Sequence, residues 1–229
     1  MKTLITSVVF SLFIFAGVCN QVVGQFAEEV EKPALKKWVL ELRAGTMNPI
    51  SPLSTGASTS LSSNLFNHFG LGFRHMFSDM LGLRVGGYFD NLKNASNSTK
   101  FHSRFLTGSI QGIANVGQFL KITSPTSSFN LHGHLGAFVA KHDVLHDVPS
   151  PLPAGQPGKD FSEIDGGIKL GILPEFSLGQ NFKLSFDASL DISFRRHMAW
   201  DGLSFDGEKI NKLTGTKWNF SIGLVHFFN

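Results

Sequence analysis

From Phe182 to Arg195 the chain alternates without a break. Phe182, Leu184, Phe186, Ala188, Leu190, Ile192 and Phe194 are apolar, and the residues between them, from Lys183 to Arg195, are polar. A period of two is the mark of a β-strand with one apolar and one wet face. Such a strand extends to roughly 45 Å at ~3.3 Å per residue, enough to cross a ~30 Å hydrocarbon core when tilted. Backbone in lipid must satisfy its own hydrogen bonds, so a spanning strand implies a closed barrel.

The same alternation predicts seven more strands. The first carries Trp38, Leu40, Leu42 and Ala44 on one face, with Glu41 and Arg43 on the other. The second runs from about Leu65 to Phe77, with Leu65, Phe69, Leu71, Phe73 and Phe77 outward and His68 and Arg74 inward. The third has Leu81, Leu83, Val85 and Phe89 outward, and Arg84, Tyr88 and Asp90 inward. In the fourth, about Phe101 to Asn115, the adjacent Phe105 and Leu106 blur the phase. Leu106 and Ile110 are placed outward, Thr107, Ser109 and Gln111 inward, and Arg104 at the rim behind a bulge. The fifth turns Phe129, Leu131, Leu135, Ala137 and Val139 outward, and Asn130, His132, His134 and Phe138 inward. The sixth turns Ile164, Ile168, Leu170, Ile172 and Phe176 outward, and Asp165, Lys169 and Glu175 inward. The Phe182–Arg195 strand is the seventh. The eighth alternates Trp218, Phe220, Ile222 and Leu224 with Asn219, Ser221 and Gly223.

The predicted fold is therefore all-β, an eight-stranded antiparallel up-and-down transmembrane β-barrel. Long connections near 47–64, 91–100, 143–161 and 196–215 alternate with shorter ones. Long outer loops and short periplasmic turns are the habit of outer-membrane barrels, which places both termini in the periplasm. Charged residues make up only 16% of the chain, and no long apolar helix follows the N-terminus, which suits dispersed, alternating apolar residues.

Residues 1–24 read as a cleaved signal peptide: Lys2, an apolar run from Leu4 to Val18, then small residues up to Gly24. Residues 25–36 form a polar periplasmic lead-in, and 37–229 the barrel. Cys19 is the single cysteine and falls within the leader, so no disulfide is expected. Nucleic acid is not an expected partner, because no basic block interleaved with aromatics occurs.

The inward charges are Glu41, Arg43, Arg74, Arg84, Asp90, Asp165, Lys169, Glu175, Asp187, Asp191 and Arg195. An eight-stranded barrel has room for little beyond side chains, so these charges must pair. A salt-bridged plug is expected, with a narrow ion path as the alternative. His68, His132 and His134 share the interior, but no metal site and no cofactor is expected. At the outer rim, Arg195, Arg196, His197, Lys209, Lys212 and Lys217 are candidates for lipopolysaccharide phosphates. Outer-membrane lipid and lipopolysaccharide, together with other outer-membrane proteins, are the expected partners. A rim-located enzyme would draw on His102, Ser103, His142, Asp143, His146 and Asp147. No motif sets a nucleophile against a base there, so no catalytic residue is assigned. Asn94-Ala95-Ser96 matches a glycosylation pattern of low specificity. A soluble lipocalin-like barrel, with the apolar face turned inward, is the remaining alternative.

Five segments carry a family likeness: SIQGIANVGQFL (109–120), NLHGHLGAFVAKH (130–142), GIKLGILPEFSLGQNFKLSFDAS (167–189), HMAWDG (197–202) and WNFSIGLVHFF (218–228). With them the chain resembles the β-barrel domain of OmpA-family outer-membrane proteins, in the form common in Bacteroidota. The resemblance implies architecture rather than chemistry. Many members continue into a peptidoglycan-binding domain; none is present here, so cell-wall anchoring is not expected.

Overall fold

The computed structural model describes residues 38–53, 56–62, 64–124, 127–144, 162–196, 199–202 and 213–228, without the side chains of Arg195 and Leu213. The expected leader and lead-in, His146, Asp147, His197, Lys209 and Lys212 lie outside the described residues.

Eight strands form the wall: β1 (Trp38–Ser51), β2 (His68–Met76), β3 (Leu81–Lys93), β4 (His102–Asn115), β5 (Phe129–Val144), β6 (Ser162–Ser177), β7 (Phe182–Arg196) and β8 (Leu213–Phe228). Each pairs antiparallel with its sequence neighbour, and β8 returns to β1 to close the barrel. A short helical turn, α1 (Val116–Phe119), links β4 to β5. Closure leaves no general sheet edge, which is what a strand wall in lipid requires.

Alternation sorts the side chains by face. Leu42, Leu71, Val85, Ile110, Leu135, Ile168, Phe186 and Phe220, one from each strand, are exposed on the outside. The intervening polar positions are buried inside. An apolar outer belt around a charged, closed interior is the reverse of a soluble barrel, and it identifies the molecule as a transmembrane barrel. Trp38 stacks on Phe73 at the short-turn end, with ring centroids 5.1 Å apart, as in an interfacial aromatic girdle.

Besides strands that extend into the expected loops, as β1 does to Ser51, four local features differ from the sequence expectation. The β4 register runs unbroken from His102 to Asn115 against both neighbours, so no bulge precedes Leu106. Phe105 points inward and is buried, an apolar residue on the polar parity. The bulge lies instead in β7, between Ser193 and Arg196. One inserted residue reverses facing, and Arg196 is fully buried inside rather than held at the rim. Phe129 keeps the outward parity but is buried, with Phe176 packed 5.0 Å from its ring.

The fourth difference is β2, which starts at His68 rather than near Leu65. Its ladder to β1 ends at Gly45, whereas β1 continues to Ser51 against β8, and β3 continues to Lys93 against β4. The edges of β1 and β3 beyond β2 are closed by two asparagines. Met47 N donates to Asn67 Oδ1 (2.6 Å), and Asn67 Nδ2 donates to Met47 O (3.0 Å). Asn91 N donates to the Asn67 carbonyl at 2.8 Å. Lys93 N donates to Asn64 Oδ1 and Asn64 Nδ2 to Lys93 O, both at 2.9 Å, while Thr46 Oγ1 donates to Asn64 O. A carboxamide carries one acceptor and donors in the arrangement of a peptide group, so each asparagine replaces a missing strand residue.

Candidate functional site

The interior is the feature with most chemistry. Among the described residues, seven buried carboxylates (Glu41, Asp90, Glu163, Asp165, Glu175, Asp187, Asp191) face six buried cations (Arg43, Arg74, Arg84, Lys169, Arg196, Lys217). Lys183, half-buried at the short-turn end, reaches Glu175 at 3.8 Å. The charges therefore balance, as burial in a low-dielectric interior demands.

They are organised in layers. At mid-height Arg43 reaches Glu41 at 2.8 Å and Asp187 at 2.5 Å. Arg84 contacts the same two acids, at 2.8 Å and 3.2 Å, so four side chains from β1, β3 and β7 close a ring. His134 sits 3.3 Å from the other Asp187 oxygen. Toward the short turns Arg74 links Glu41 (3.4 Å) to Glu175 (2.7 Å), and His132 lies 3.3 Å from Glu175. Toward the long loops Asp191 takes Lys169 at 2.8 Å and Lys217 at 3.7 Å. Lys217 also holds Asp90 at 2.8 Å, and Asp90 pairs with His68.

Glycines on the inward parity make space for these groups. A Cβ at Gly72 would lie 2.9 Å from Glu41 Oε2, and one at Gly171 would lie 2.6 Å from His134 Nε2. Any larger side chain at either position would push the ring apart.

The barrel mouth at the end of the long connections is capped by the segment 199–202. Trp200 is buried against Met47, Leu92, Phe101 and Phe105, and its Nε1 donates to Ser51 O at 2.6 Å. Beneath it the Arg196 guanidinium lies 3.5 Å from the indole centre, in cation–π contact. Arg196 is also 3.2 Å from Asp165 and donates to His142 Nδ1 at 3.0 Å. His142 stacks on Phe105 with centroids 4.3 Å apart.

Of the sequence-derived interior set, ten residues with described side chains are buried inside, and Arg195 is the exception, outside description. Of the rim candidates, Arg196 and Lys217 are buried interior cations, not rim contacts, because the β7 bulge and the β8 parity turn them inward. Glu163, His142 and Lys217 were not read as interior, although each shares the parity of inward neighbours on its own strand.

The three histidines are not gathered into one site: His68 pairs with Asp90, His132 with Glu175 and His134 with Asp187. No metal-capable cluster of three or more such side chains occurs among the described residues. The enzyme candidates are likewise separated. Ser103 is buried inside while its neighbour His102 lies on the other face, bonded to Asn91. His142 is inside, and Asp143 faces away, 2.9 Å from Lys141.

No protein-family model and no curated protein matches the chain. Solved structures similar to it include neisserial surface protein A, at 12% identity and a TM-score of 0.49, covering 83% of this chain and 97% of that one. OprG from Pseudomonas aeruginosa gives 10% identity and a TM-score of 0.49, over 85% of this chain and 96% of that one. The N-terminal barrel domain of OprF from the same organism gives 13% and 0.42, over 83% and 97%. At such identities nothing about ligands or partners passes to this chain. The Bacteroidota form of the OmpA family gains no support from them.

Proposed function

We propose that the chain is a small, non-enzymatic outer-membrane barrel with a closed lumen, acting as a structural or interaction protein through its surfaces. The observation that carries this reading is the charge-balanced network filling the interior beneath the Trp200 cap. Every interior cation with a described side chain is committed to a carboxylate, so charge selection and conduction have no free group to use. The apolar belt supports the membrane setting, and the long connections at one end supply the surface for outer-membrane partners. In this orientation the Trp200 cap faces outward and the short turns face the periplasm.

Planar-bilayer recording from the purified monomer tests the closed lumen. The expected result is no stable porin-sized conductance. Such conductance from monomer would overturn the reading.

A further inference from the structure

The short β2 strand has a consequence on the lipid side of the wall. Between Asn64 and Asn67 the chain leaves the ladder, and Leu65 and Phe66 are thrown outward, 66% and 64% exposed. Phe66 has φ 54°, a conformation rare for a bulky side chain and held here by the bonded asparagines on either side. The two residues overhang a groove of about 370 Å³ on the outer wall. Its lining combines the small Ala44 and Ala188 with Ile172, Phe186, Phe220 and Ile222 from the outward face of the wall. The volume lies within the ~300–1,000 Å³ usual for small-ligand pockets.

The lining determines the ligand chemistry. Three polar residues border it: Thr46 donates to Asn64 O, and Asp187 and Ser221 are buried on the inward parity, Asp187 within the interior ion pairs. None of the three is left as a free handle for a sugar, nucleotide or peptide. The groove opens on the exposed apolar belt, whose neighbour in the bilayer is hydrocarbon. A flexible alkyl chain matches an apolar groove lined by small and aromatic side chains.

We infer that this groove is a binding site for one acyl chain of a membrane lipid, held between the Leu65–Phe66 overhang and the β6–β7–β8–β1 wall. The inference rests on the membrane reading proposed above and deepens it, because it names a lipid partner and its place. Overhang and wall come from elements joined by the asparagine bonds, so the groove is part of the fold rather than a gap between mobile loops.

Photolabelling in nanodiscs tests it, with a phospholipid carrying a diazirine midway along one acyl chain. Adducts are mapped by mass spectrometry on the full barrel. The expected result is labelling of Phe66, Phe186 and Phe220 several-fold above Leu71, Ile110 and Leu135, which are exposed on other strands. Ala188→Phe fills the groove and should reduce the excess to the level of those controls. If that variant fails to fold, Phe66→Ala removes the overhang from an exposed position and should do the same. Even labelling around the belt, or an excess that survives both variants, would overturn the acyl-chain site while leaving the membrane barrel standing. No belt labelling at all would remove both. A parallel arm uses a free diazirine fatty acid. Labelling of the groove by the free acid but not by the phospholipid would overturn the lipid assignment in favour of a free apolar ligand.

Discussion

Arg43 Nη1 and Asp187 Oδ2 lie 2.5 Å apart inside the barrel, although 144 residues separate them in sequence. Arg84 reaches the same carboxylate oxygen and the same Glu41 that Arg43 holds. Removing Asp187 therefore leaves two guanidinium groups sharing one carboxylate, Glu41. Asp187→Leu is expected to destabilise the barrel by about 3–5 kcal/mol, the usual penalty for breaking a buried pair. Ser189→Leu, on the same face of β7, removes no charge partner and should cost less. Gel-shift melting in detergent compares them, and equal midpoints would contradict the ion-pair network.

The asparagine closure gives a second expectation. Asn67→Ala leaves both the N–H and the carbonyl of Met47 without their partner. Each buried unsatisfied group costs about 1–3 kcal/mol. Urea titration of folding in liposomes should show Asn67→Ala well below Asn48→Ala, since Asn48 is only half-buried and closes no ladder gap. Similar midpoints would mean that the gap beyond β2 is sealed by something other than these side chains.

Trp200 both packs in the apolar cluster and donates to Ser51 O. Trp200→Ala empties the apolar cluster at the mouth, at about 3–5 kcal/mol for a fully buried Trp. Trp200→Phe loses the donor to Ser51 O and part of the indole volume but keeps an aromatic ring in the cluster, so it should cost less than the Ala variant. The same urea titration should rank wild type, Phe and Ala in that order. An unaffected Ala variant would show that segment 199–202 does not cap the mouth.

How much of this could be read from the sequence follows from the range of the forces involved. Alternation is local, so the strands, their lipid faces and most interior charges were legible from parity alone. Arg196 was not, because the β7 bulge depends on pairing with β8 and leaves no local mark. Phe105 was ambiguous because two adjacent aromatic and aliphatic residues fit either phase. Its inward place is decided by His142 and Trp200, which reach it from β5 and from the segment after β7. Asn64 reads as the last residue of a loop and Asn67 as part of the second strand, since nothing nearby reveals that their carboxamides meet main chain of β3 and β1. Trp200 sits in a polar connection, and its burial depends on a mouth built by four other segments. Lys217 shows the opposite case. It lies on the inward parity of β8, and extending the alternation two residues beyond Asn219 would have found it.

The apolar parity of β7 faces lipid, and the polar parity faces the barrel interior. Single cysteines at 188, 190 and 192, and at 187, 189 and 191, can carry a fluorescent probe in the barrel reconstituted into bilayers. A lipid-soluble quencher on the acyl chains is then added. Strong quenching is expected at 188, 190 and 192, and little at 187, 189 and 191. A reversed pattern, or equal quenching at all six, would contradict this facing of β7.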